Sequence, residues 1–163
     1  MNLKFLIEKL EESDVFKDFK KENPDAQLCA GFFILDFKEK REEQNLDYKI
    51  KDKIATFSLD PISLKGVEDI LDKTKPLNEL DTGIKIELEK AKQIIDEELV
   101  KNKISNRLEK IIAVLQMKDD KPVWNITCML SGMKIMIVLI DAVEGKILKF
   151  ENKSLFDLVR PMK

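Results

Sequence analysis

Residues 121–150 read KPVWNITCMLSGMKIMIVLIDAVEGKILKF. The pattern is three consecutive strands separated by the turn candidates SG and AVEG. In the middle run, MKIMIVLI, parity sends Met133, Ile135, Ile137 and Leu139 to one face and Met136, Val138 and Ile140 to the other. A strand that is apolar on both faces needs a cover on each, because leaving such side chains in water forgoes roughly 1.5–3 kcal/mol apiece. Just upstream, EKIIAVLQMK, residues 109–118, reads as a further strand leading into the turn DDKP. A helix running from Ile86 to about Lys103 carries the stripe Leu88, Ala91, Ile95 and Leu99, with Ile94 alongside, and can close one face. The other face is expected to be closed by the N-terminal half, which offers Phe32, Phe33, Ile34, Leu35 and Phe37, or by the same surface of a second subunit.

That N-terminal half opens with a helical region, Leu3, Leu6, Ile7 and Leu10 at helical spacing continued by Val15, Phe16 and Phe19 beyond Ser13, a cap or a kink, and this region ends before Pro24. LCAGFFILDF, residues 28–37, is rich in aromatic and branched residues and reads as a strand. KEKREEQN, 38–45, reads as a charged turn or loop, and YKIKDKIATFSL, 48–59, as one half-exposed strand. After Pro61, Ser63 can cap a short helix bearing Leu64, Val67, Ile70 and Leu71, which Pro76 should end, and residues 76–83 look like a linker. At the far end SLFDLV has Ser154 and Asp157 in a capping-box pattern. The expected fold class is therefore α+β, an antiparallel sheet packed against helices. Two similar helix-plus-meander halves, residues 1–75 and 84–163, would pack together as one globular unit.

The segment from Ile84 to Phe150, about two fifths of the chain, resembles the PepSY family of small domains found in peptidase propeptides and standalone proteins. The matching pieces are IELEKA at 86–91, KPVWNI at 121–126 and IDAVEGKIL at 140–148. The resemblance implies a PepSY-like fold for this half, and a role in restraining or chaperoning a peptidase through protein contact. The residues themselves suit the fold: Trp124, Ile126, Cys128 and Leu130 share one strand face, and Asp141 and Gly145 bracket a hairpin turn. Trp124 reads as a core anchor or, more sharply, as a ligand platform.

Composition narrows the chemistry. The chain has 163 residues, 44% hydrophobic and 37% charged, with net charge -2, which is globular rather than disordered. Its arginines are Arg41, Arg107 and Arg160, so the forked donors that recognise phosphate and guanine are scarce and a nucleic-acid partner is not expected. Histidine is absent, which removes the usual general base and the commonest zinc ligand, and neither GxGxxG nor GxxxxGK[ST] occurs. Asp36, Asp60 and Asp141 lie near strand ends, either as strand terminators or as a carboxylate set. Cys29 and Cys128 read as reduced, inert core thiols, and the sequons at Asn125 and Asn152 carry no meaning without export. The longest apolar run, Ile135–Ile140, is too short to span a membrane, and the start MNLKFLIEKLEESDVF lacks a signal-peptide core, so a cytoplasmic setting is expected. No catalytic, cofactor or metal residue is assigned. The expected function is a non-enzymatic protein-interaction or regulatory module whose partner is another protein or a second copy of the chain. The alternative is a binder of a small apolar ligand or lipid, with its pocket between helix and sheet. An enzyme working through carboxylates alone would need them clustered in a cleft.

Overall fold

The computed structural model describes residues 1–71, 74 and 77–154. The chain starts with two helices, α1 (Leu3–Glu11) and α2 (Asp14–Glu22), divided at Ser13, whose hydroxyl accepts from the Phe16 amide at 3.2 Å. Ser13 is thus a cap, satisfying one of the donors that a helix start leaves unpaired. A meander of four strands follows: β1 (Gln27–Asp36), β2 (Arg41–Ile50), β3 (Lys53–Leu59) and β4 (Ile62–Asp69). After α3 (Leu88–Lys101), a second meander runs through β5 (Leu108–Lys118), β6 (Lys121–Leu130), β7 (Lys134–Asp141) and β8 (Ile147–Ser154). The two meanders form one antiparallel sheet in the order β4-β3-β2-β1-β5-β6-β7-β8, joined where Ala30–Asp36 of β1 pairs with Lys110–Gln116 of β5.

The expected α+β class is corrected by this architecture. The described residues are mostly β, 48% strand and 21% helix, with three short helices among them beside an eight-stranded sheet. Three local readings account for the shift. KEKREEQN is a turn only as far as residue 40, since β2 begins at Arg41 and the charged and polar residues that follow lie along the ladder. The stretch 48–59 is two strands, broken at a turn where Lys51 adopts φ 56°. The helix proposed after Pro61 is β4: a bulge places Leu64 opposite Phe57 and Val67 opposite Ala55, which puts an extra residue between two side chains of the same face. An i, i+2 strand spacing thereby becomes i, i+3 and imitates a helix. The capping-box segment beyond Ser154, and Pro76, lie outside the described residues.

The second face of β7 is also arranged differently from expectation. The N-terminal half does not close over it but extends the same sheet sideways. Met136, Val138 and Ile140 join a core with Phe33, Leu46, Phe57, Ile111, Ala113, Leu115, Trp124 and Ile126, to which all three helices contribute. Leu3, Leu6, Leu10, Phe16 and Phe19 come from α1 and α2, and Leu88, Ala91, Ile95 and Leu99 from α3. On the opposite face Ile135 lies between Met129 and Lys153, and Leu139 between Asn125 and Lys149, where long aliphatic stems can cover them.

Trp124 is fully buried, its indole N–H donates to the Ile86 carbonyl at 2.8 Å, and its ring lies 5.7 Å from that of Phe33. Trp124→Phe should leave that carbonyl without its partner and open a void. The expected cost is about 1–3 kcal/mol, read from the shift in denaturant midpoint at unchanged m-value.

Candidate functional site

Each candidate from the sequence now has a place. Trp124 is an anchor, not a platform: no part of it reaches solvent. The three motif pieces of the C-terminal half meet around it. Lys85 and Ile86 amides both donate to the Ala142 carbonyl at 2.9 Å, Ala142 donates to Pro122, and the Ile86 carbonyl receives Trp124. Gly145 takes φ 77°, and a Cβ there would come within 3.1 Å of Ile86. These residues staple the start of α3 to the β7–β8 turn, a structural role that accounts for their spacing.

Asp141 and Asp36 behave alike. Asp141 Oδ1 accepts from the Val143 and Glu144 amides at 2.8 and 3.0 Å, and Asp36 Oδ1 from Lys38 and Glu39 at 3.1 and 2.9 Å. The Glu144 N–H in the first case and the Glu39 N–H in the second are the main reason each carboxyl is held below its ordinary pKa. Both are turn-forming acceptors. Asp36 and Asp60 line one open, polar cleft of about 310 Å³ with Arg41, Glu43 and Lys110, whereas Asp141 sits on β7, three strands from β1. Two of the three carboxylates are therefore brought together and the third is not. Among the described residues no three acidic or cysteine side chains are grouped to hold a metal ion.

Both thiols are buried. Cys29 is the unpaired residue of a bulge between Leu28 and Ala30, with its Sγ donating to the Asp47 carbonyl at 3.4 Å. Burial pushes both thiols up to about 12, assisted by the charge of Asp47 at Cys29 and of Asp96 at Cys128. A thiol with so little thiolate near neutrality is a poor nucleophile.

A group that sequence reasoning missed lies where α1 and α2 meet β1, β2 and residues 79–82. Leu80 is buried there and its amide donates to the Leu28 carbonyl at 2.8 Å, pinning that segment beside β1. The cleft so formed, about 530 Å³, is lined by Glu11, Lys20, Gln27, Tyr48 and Glu79 among others. Tyr48 packs against Phe16 in a tilted pair at 4.9 Å and edge-to-face against Phe57 at 5.7 Å, centroid to centroid. Burial, then the charge of Glu11, raises its phenol, and burial likewise raises the Glu11 carboxyl against the pull of Lys20. Nothing in the alternation of β2 signals this, because the cleft is made where five elements, α1, α2, β1, β2 and residues 79–82, converge.

Compared with known proteins, neither a family model nor a curated protein matches the chain. Among solved structures, a "putative lipoprotein" from Clostridium difficile 630 is similar with a TM-score of 0.57 and 16% identity, covering 88% of this chain and 98% of that one. At that identity the likeness is one of fold.

Two measurements follow from the site chemistry. Folding raises the pKa of each thiol, so the stability this contributes is complete below the unfolded value of about 8.5 and is lost as pH rises toward about 12. Replacing Cys29 and Cys128 together by Val should cost about 1–2 kcal/mol near neutrality and flatten the alkaline decline in unfolding free energy. Asp141 has the opposite sign: its depressed pKa contributes stability above the unfolded value of about 3.9 that disappears as pH falls through the folded one. Asp141→Ala should remove that acid dependence and cost about 1–3 kcal/mol at neutral pH through the two orphaned turn amides. A variant as stable as the parent at both pH extremes would contradict the assignment.

Proposed function

We propose that the chain is a non-enzymatic protein-binding module that engages its partner through the sheet face opposite the helices. The observation that carries this reading is the composition of that face. Phe32 and Ile34 of β1 stand beside Val114 and Ile112 of β5, and Ile137 and Leu139 of β7 continue the apolar area past Thr127 and Asn125 of β6. All but Leu139 are only half-buried, and the helices lie on the other side. Charged side chains bound the patch, with Glu43 on β2 and Lys149, Glu151 and Lys153 on β8, whereas Asn45 beside Phe32 is buried. Two apolar stretches thus flank Asn125 and Thr127, and an apolar area interspersed with and bounded by polar groups is the common anatomy of a protein interface. The PepSY resemblance supplies the candidate partner class, a peptidase held in check by contact.

The apolar-ligand alternative has less support. Ala91 and Ile95 of α3 and Trp124, Ile126 and Val138 beneath it have no exposure, so that helix–sheet seam is closed from outside. The cytoplasmic setting is retained as part of the proposal, and the lipoprotein name of the fold neighbour is the observation that stands against it. Fractionation of the native host decides between them.

A photo-crosslinker at position 114 of the full chain, in its native host, should capture a protein at stoichiometric yield, and one at Glu97 on the outer face of α3 should not. Ile112→Lys with Val114→Glu should weaken that complex at least about tenfold while changing stability by about 1 kcal/mol or less. Retained binding by the double variant, or an apolar small molecule in place of a polypeptide in native mass spectrometry, would refute the reading.

A further inference from the structure

The cleft beside Tyr48 has a chemical character of its own, independent of the open sheet face. Its lining includes three carboxylates, Glu11, Asp25 and Glu79, against the single ammonium of Lys20. Lys20 is already committed, since its Nζ donates to the Ala26 carbonyl at 2.8 Å. Ile7, Leu28 and Leu80 supply apolar wall between these charges. At about 530 Å³ the cleft is within the range of small-molecule sites, roughly 300–1,000 Å³.

Tyr48 provides the second, separate observation. It is 2% exposed and clamped by aromatic rings, yet its hydroxyl has no hydrogen-bond partner among the described residues. Leaving a buried hydroxyl unpaired is costly, and such groups in native proteins call for an explanation. An anion entering this cleft would meet excess negative charge, whereas a cation would relieve both the desolvated Glu11 carboxyl and the unpaired phenol oxygen. We infer that this cleft binds a small organic cation, a primary amine carried on a short apolar body. Its ammonium N–H groups donate to the Glu11 carboxylate and the Tyr48 hydroxyl oxygen, Glu79 adds counter-charge, and the apolar body lies along Leu28 and Leu80.

The chain contains one tyrosine, so isotope-labelled tyrosine gives a single ring signature that reports on this cleft alone. The full chain is titrated at low ionic strength with phenethylamine and butylamine, and with phenylacetate and phenethyl alcohol as anionic and neutral probes of matching size. The amines should produce a saturable shift of the Tyr48 signature that the other two do not. Glu11→Gln should weaken amine binding at least about tenfold. Tyr48→Phe, which keeps the aromatic packing and deletes only the hydroxyl, should do the same, followed through the backbone amides of Gln27 and Leu28. Should Glu11→Gln disturb the helix pair, Glu79→Gln on the neighbouring segment reports the same counter-charge. No saturable response to either amine, an equal response to all four probes, or undiminished affinity in Tyr48→Phe overturns the inference and leaves the cleft a solvated groove.

Discussion

The pairing of β1 with β5 is the constraint on which the rest of this structure depends. Seven residues from Ala30 to Asp36 meet Lys110 to Gln116 in antiparallel register, and through that ladder two four-stranded meanders become one sheet. Because the first strand of each meander is the one that joins, the strand order reads outward in the same way from the middle to either edge. The helices preceding each meander then fall on one face, and their apolar stripes share a single core that runs from Phe57 in β3 to Val138 in β7. The centre of that core leaves little room. A Cβ at Gly31 would lie 2.8 Å from the Phe33 ring, which itself packs on Trp124, so β1 must stay bare at this position for the rings from both halves to meet.

Gathering all the helices on one side leaves the sheet with two unlike faces. On the covered side, aromatic rings from α2, β2 and β3 interlock at centroid distances of 4.9–5.7 Å for Phe16, Tyr48 and Phe57, and the C-terminal strands contribute branched aliphatics. On the other side, apolar residues alternate across the ladder with Asn, Thr and Glu. The outermost strand β8 carries Lys149 and Lys153 at 2.8 and 3.1 Å from Glu151, a charged row of the kind that discourages edge-to-edge pairing of sheets.

The acidic groups divide along the same lines. Where a carboxylate closes a turn and accepts from backbone amides, as at Asp36 and Asp141, its ionised form is favoured. Where it is drawn against the packed elements, desolvation dominates. Asp47 is raised by burial despite accepting from Thr56 Oγ1 at 2.7 Å, and Glu87 is raised by burial while its Oε2 accepts from the Leu3 amide at 3.2 Å. Glu87 thus serves the start of α1 from the start of α3, a tie between distant segments that neither helix's own sequence discloses.

What the sequence determined by itself is whatever rests on local periodicity with a buried face to reinforce it. The stripe Leu88, Ala91, Ile95 and Leu99 is the buried face of α3, Ser13 caps α2, and the four C-terminal strands with their turns stand where alternation and turn residues put them. It misled where burial was weak or a bulge altered the period. Leu64 and Val67 stay 41% and 45% exposed on an edge strand, and the bulge between them gave a helix-like interval that no core enforced. Only the tertiary structure decided that the N-terminal half would lengthen the sheet instead of covering it. Backbone donors and acceptors on the free edge of β1 can pair with any strand of compatible length, so side-chain pattern alone does not choose between edge-on and face-on association. The Tyr48 cleft was invisible for the same reason: α1, α2, the β1–β2 ladder and residues 79–82 have nothing in common along the chain, and only their convergence lines one cleft with three carboxylates and a buried tyrosine.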